Sequence, residues 1–333
     1  MDVPATTDPF VEHSLRTSLF FPSSRLFVAG NPKAAGTSLR WWLLDSHGVD
    51  VSDRTAGSLW GESAPWQTVW DARVDLRYTW DRLSDEERQD ALTSTDVLSV
   101  LPVRHPVTRA FAAWSSKYLT REPYYEERLP EDFTSLPPAV RSTDEIADWF
   151  HRFVDELAAH VDHEGWHDVD VHFWPQNRLL ARDPAGEVLQ LRQEDMADGL
   201  AAVQRWLTEH GIHPSAAKRL NENVVPYQQS FVDAAVKTLS EVYGDDFARF
   251  DYAPAAPASA PASVDLDWLN DVRGRNGRYA VVHEAALASR RRSAHLEQQL
   301  RESRQRVHDL EASTSWRVTR PLRELSQRLG RGD

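Results

Sequence analysis

Short apolar runs alternate with apolar positions at helical spacing along the first third of the chain. "RLFVAG" (25–30) is a short apolar run closed by glycine, which predicts a buried strand. "TSLRWWLLDSHG" (37–48) then returns apolar residues at helical spacing, with a hydroxyl residue at its start and Gly48 as its stop. "DVLSVLPV" (96–103) predicts a second strand, and "RHPVTRAFAAWSSKYL" (104–119) turns through Pro106 into a second amphipathic helix. Between them, "LSDEERQDALTS" (83–94) reads as a helix with acids in its first turn. Two strand–turn–helix units in series predict an α/β fold, a mostly parallel sheet flanked by helices. Residues 1–24 show no such period and read as an irregular lead-in.

Further along, residues 142–160 predict a helix capped by Ser142 or Thr143, with Trp149, Phe150, Phe153, Val154 and Leu157 as its apolar stripe. "EVLQLRQEDM" reads as a strand entering a helix, and 199–211 as a helix ended by glycine. "QQSFVDAAVKTLSEVYGDDFARFDY" reads as the last helix of the body. The Pro- and Tyr-rich run 121–142 is long enough to be a functional loop or lid, in which Tyr124 and Tyr125 either stack on a sugar or pack the loop. "APAAPASAPAS" (253–263) is a linker that divides the body, 25–252, from a tail, 264–333. In the tail Leu296, Leu300, Val307 and Leu310 follow heptad spacing, with Ser303 and Thr314 filling the pattern. That predicts a helical, partly coiled-coil tail used for homo-oligomerisation or partner binding.

Charge narrows the partners. The chain carries a net −13, yet residues 290–333 hold eleven arginines against six acids, so the body is more acidic still. An acidic body argues against nucleic acid. The basic tail reads as solvated, with contact to an anionic membrane surface as the alternative. The chain has no cysteine, no apolar run of ~18–20 residues and no basic-then-apolar leader, which together give the expectation of a cytoplasmic protein.

The junction of the first strand and helix, "VAGNPKAAGTSLRWWLL", has the makings of a phosphate site. Backbone N–H groups of the loop and helix start converge, the helix dipole favours an anion, and Thr37 and Ser38 can donate hydroxyl hydrogen bonds. It is not a Walker A loop. Five residues separate Gly30 from Gly36, Thr37 stands where that motif has lysine, and Lys33 lies inside the loop. With four lysines in 333 residues, one inside such a loop is conspicuous.

"NPKAAGTSLRWWL" and, about 70 residues on, "VRHPVTRAFAAWSSKYL" together resemble the sulfotransferases, specifically the carbohydrate-type group. "HFWPQ" (172–176) and "YGDDFARFDY" (243–252) look like later landmarks of the same group. The resemblance covers about Arg25 to Tyr252 and implies a P-loop-like sulfotransferase fold. It implies 3′-phosphoadenosine 5′-phosphosulfate (PAPS) as co-substrate, no metal, and a carbohydrate or glycan-precursor acceptor. Pro32, Lys33, Ala34, Ala35, Gly36, Thr37 and Ser38 would then hold the 5′-phosphosulfate, and Arg104 the 3′-phosphate. Lys33 would be catalytic: in a loose transition state charge collects on the leaving oxygen, where an ammonium acts most strongly.

One position departs from the group's pattern. Ala112 stands where the group has a phosphate-binding serine; Ser115 or Ser116, about one turn later, can substitute, and Ser115 is taken as the ligand. Arg109 is either a ligand or an ion-pairing residue. For the general base two candidates stand. Asp71 would end a short strand in "QTVWDARVD", chosen there over Glu62 and Asp75; His172 is its rival. "HEGWHDVDVH" (163–172) has histidines enough for a metal, but no metal is expected. The alternatives to a sulfotransferase are a P-loop kinase, which would need Mg²⁺ and ATP, and a degenerate donor-binding module that recruits partners through its coiled coil.

Overall fold

A computed structural model gives the architecture. It describes residues 8–49, 51, 77–122, 137, 139–166, 168–180, 184–217, 225–259, 262–319 and 321. The centre is a four-stranded sheet in the order β1 (Leu19–Phe21), β2 (Leu26–Val28), β3 (Leu98–Val103), β4 (Glu187–Arg192). β1 and β2 are antiparallel; β2–β3 and β3–β4 are parallel, with Val28 opposite Val100 and Val100 opposite Leu189. The sheet is therefore mixed, with the parallel part where two strand–turn–helix units were expected.

The period of two sorts its side chains into two cores. Phe20, Phe27, Leu101 and Val103 face one apolar cluster; Phe21, Leu26, Val28 and Val100 face the other. The second is covered by α2 (Gly36–Ser46), through Leu39, Trp42 and Leu43, and by Val203 and Leu207 of a later helix. The first is larger and takes the aromatic stripe of a 22-residue helix, Thr143–Glu164, capped by Ser142 as expected. Asp85–Thr93 forms with a full capping box between Ser84 and Glu87.

Three expectations are corrected. The lead-in is not irregular: Pro9–Arg16 is a helix, α1, capped by Asp8 with proline in its first turn, followed by β1. Asp-Pro was the legible signal. The last helix of the body is broken into turns at Gln229–Phe231 and Asp233–Ala235 and helices Val236–Val242 and Gly244–Arg249. The helix after Pro106 is α-helical over Pro106–Trp114 (α4 in chain order, with Asp85–Thr93 as α3) and widens to a π turn at Ser115–Leu119.

The chain forms two compact units, Met1–Gly274 and Arg275–Asp333. The division falls inside one 47-residue helix, Leu266–Ala312. The Pro/Ala run bonds to the body: Tyr227 donates to the Pro257 carbonyl and the Gln229 N–H to Ser259 Oγ. The first turns of the long helix belong to the first unit, where Leu269 is buried and Arg273 donates to the Leu119 and Pro137 carbonyls. Among the described residues no helix is long and apolar enough to cross a membrane.

Candidate active site

β2 and β3 are parallel neighbours, so the loops leaving their C-terminal ends emerge at one edge of the sheet, where open α/β folds bind ligands. One loop carries Lys33 and the other Arg104. Arg104 Nη1 donates to the Lys33 carbonyl (3.3 Å) and Nε to Thr108 Oγ1 (3.1 Å). Gln176 joins the same junction. Its Oε1 accepts from Asn31 Nδ2 (2.9 Å) and the Arg104 N–H (3.0 Å), while its Nε2 donates to the Arg104 carbonyl (2.8 Å). Three motifs far apart in the chain are thus tied by one buried amide. Asn31 and Gln176 were not singled out from the sequence, although both lie within the quoted motifs.

The first loop is strained. Lys33 (φ 65°) and Ala35 (φ 58°) are both left-handed without being glycine, at about 1–2 kcal/mol each. Ala35 is the N-cap of α2 and offers no side-chain acceptor to the first turn of Gly36, Thr37 and Ser38. Gly36 has helical backbone, and a Cβ there would meet only the Asn31 carbonyl, at 3.7 Å. The protein's own atoms do not require this glycine. Gly30 is different: a Cβ would lie 2.0 Å from Thr17 Oγ1 and 2.6 Å from the Ser14 carbonyl. Ser14 and Ser18 also hold Gly30 by its carbonyl and its N–H. α1 therefore buttresses the loop from behind.

Among the described residues Arg109 forms no ion pair with an acid, and its buried Nη2 has no hydrogen-bond partner. The side chain is buried, and it donates to the Pro32 carbonyl (2.9 Å) and the Trp174 carbonyl (2.8 Å), clamping the Lys33 loop to the "HFWPQ" segment. Burial lowers its pKa, with Tyr243 and Asp246 opposing. Ala112 is fully buried in α4. Of its proposed substitutes, Ser116 accepts a hydrogen bond from Lys33 Nζ. Ser115 is buried, and its Oγ has no hydrogen-bond partner among the described residues.

His172 comes to this site. Its ring Nδ1 lies 2.6 Å from Asp170 Oδ1, which also accepts from the His172 N–H (2.9 Å). Burial, aided by Lys117, pushes the ring pKa down to about 3 against the pull of Asp170. A neutral ring beside a carboxylate carries its proton on Nδ1, which leaves the Nε2 lone pair as the basic position. Burial pushes Asp170 up, but the His172 bonds outweigh it and hold the carboxyl at about 2. Lys33 is pushed down to about 7, first by burial and then by Lys117, with Glu122 opposing and Arg104 adding. Lys117 itself is buried in the π turn and paired with Glu122 at 2.8 Å.

So Lys33, Ser116, Lys117, Glu122, Asp170 and His172 share one electrostatic neighbourhood. Asp170 and Lys117 were missed from the sequence; the signals were the D-x-H spacing and the rarity of lysine. Asp71, Tyr124 and Tyr125 lie outside the described residues. Of the histidines weighed for a metal, His163 is exposed at the end of its helix and His167 lies outside the described residues. Among the described residues no three metal-ligating side chains cluster.

A strained loop thus leads into an uncapped helix beside an arginine that follows the neighbouring parallel strand, within an α/β fold. The family model described as "Sulfotransferase family" matches residues 20–253, and the chain belongs to that family. Neither a curated protein nor a solved structure gives a significant match.

Proposed function

We propose that the chain transfers a sulfuryl group from PAPS to a hydroxyl of a carbohydrate or glycan precursor. Membership of the family supports sulfuryl transfer in general. The observation that carries the donor is the junction of Lys33 with Arg104, two cationic side chains on adjoining loops of parallel strands. The donor carries anions at both ends of its ribose and so needs two such sites. The site's own features fit it. The start of α2 lacks a cap, space adjoins Gly36, and the buried Ser115 hydroxyl wants a partner.

In this reading the loop from Pro32 to Ser38 binds the 5′-phosphosulfate through the N–H groups of Lys33 to Ser38; Arg104 and Ser115 bind the 3′-phosphate. Lys33 directs its ammonium to the oxygen on which charge develops. His172, neutral and oriented by Asp170, takes the proton of the acceptor hydroxyl at Nε2. Asp71 is the second candidate base. The carbohydrate preference rests on the form of the loop motif. A cytoplasmic location belongs to the same reading, with the basic tail solvated and contact with an anionic membrane surface as its alternative.

Thermal shift separates donor classes. Adenosine 3′,5′-bisphosphate is expected to stabilise the protein, by about 2.7 kcal/mol at a hundredfold excess over its Kd. Stabilisation by ATP–Mg²⁺ alone would instead favour the kinase. Labelled sulfate transfer to a panel of glycans then tests the acceptor; donor binding with no transfer would favour a donor-binding module.

pH gives a second expected result. Lys33 is needed protonated, and its pKa in the free enzyme lies near 7. kcat/KM should therefore fall as pH rises above about 7, while kcat should hold to higher pH, because the bound donor's negative charge raises that pKa. His172 is already neutral, so no acid limb should appear between about pH 5 and 7. An acid limb centred near 6.5 would mean the base is an unperturbed histidine and not His172 in this setting.

A further inference from the structure

From Arg275 onward the chain forms a second compact unit, which contains most of the long helix Leu266–Ala312. Leu296, Leu300 and Val307 are 61%, 50% and 52% exposed there. Spaced by four and then seven, they lie along one seam of a helix of 3.5-residue period. A seam of large apolar side chains on a solvated helix calls for a partner helix, since an isolated helix gains little from propensity alone.

The charges beside the seam say which partner. With Leu300 and Val307 at a positions, and Leu296 and Ser303 at d, Arg292 and Arg306 take g positions and Glu297 and Glu311 take e positions. A parallel, in-register pair of identical helices sets each g against the e position five residues on in the other helix. That brings Arg292 to Glu297 and Arg306 to Glu311 of the second copy, each twice by symmetry. An antiparallel pair that stacks Leu296 on Leu300 would instead oppose Arg292 to Arg306 and Glu297 to its own counterpart. We propose that this seam binds a second copy of the chain as a parallel, in-register coiled coil. Ser303 at a d position weakens the seam and helps to fix its register.

The chain has no cysteine, which makes the test direct. In the full-length protein, Ser303→Cys should give a disulfide-linked dimer on mild oxidation, and Gln305→Cys, at an outward f position, should not. Light scattering of the unmodified protein should give twice the chain mass. The double variant Glu297→Arg with Glu311→Arg should weaken self-association roughly tenfold, and mixing it with Arg292→Glu with Arg306→Glu should restore it. A monomer by scattering, equal cross-linking at both cysteine positions, or no restoration on mixing would each overturn the proposal. None of these readouts depends on sulfuryl transfer, so the two readings fail separately.

Discussion

Lys33→Met is expected to lower turnover by a factor of about 10²–10³, the loss seen when one donor to a developing oxyanion is removed. Lys33 sits on a left-handed residue of the loop, with Nζ bonded to Ser116 and its charge opposed by burial, Lys117 and Arg104. An ammonium held in that setting gains most when negative charge grows beside it. Binding of adenosine 3′,5′-bisphosphate, which lacks the sulfuryl group, should change far less than turnover. The fold should not suffer, because the substitution removes a charge that burial disfavours. Lys33→Arg should not restore activity, since a planar fork cannot aim a compact charge at one oxygen. What activity remains in Lys33→Arg should lose the alkaline limb in kcat/KM, because guanidinium stays protonated. Turnover unchanged in Lys33→Met would remove this lysine from the chemistry.

The two glycines of the loop should answer to alanine in opposite ways. At Gly30 a Cβ collides with Thr17 and with the Ser14 backbone, and the Ser14 and Ser18 bonds leave no room to shift. Gly30→Ala is expected to cost about 3 kcal/mol by overpacking, seen as a Tm lower by about 10 °C. At Gly36 the Cβ meets nothing closer than 3.7 Å and the backbone is already helical. Gly36→Ala should leave Tm unchanged or slightly raised. It should nevertheless weaken adenosine 3′,5′-bisphosphate roughly tenfold or more, because the methyl occupies the approach to the first N–H groups of α2. Undiminished affinity in a well-folded Gly36→Ala protein would move the 5′-phosphate elsewhere.

The sequence alone determined the parts of this protein that are local. The short apolar runs "LFV" and "LSVLPV", buried along their whole length, and a period of 3.6 after each turn fix the two strand–turn–helix units. The motif pair at Lys33 and Arg104 pointed to the sulfotransferases, and the family match over residues 20–253 agrees. Tertiary structure decided what depends on contacts across the chain. Only the fold sets Arg109 between the Pro32 and Trp174 carbonyls, without an acidic partner among the described residues. The break in the last helix of the body follows from Tyr243 donating to the Phe173 carbonyl and buried Asp246 accepting from the Gln176 and Asn177 N–H groups, contacts that override local helical propensity. Asp170 holds the His172 ring and Lys117 biases its charge, neither of which the local sequence records. Periodicity records which face of an element is buried. It does not record which buried charges, distant in the chain, will share one low-dielectric neighbourhood, and that sharing gives these side chains their altered pKa values.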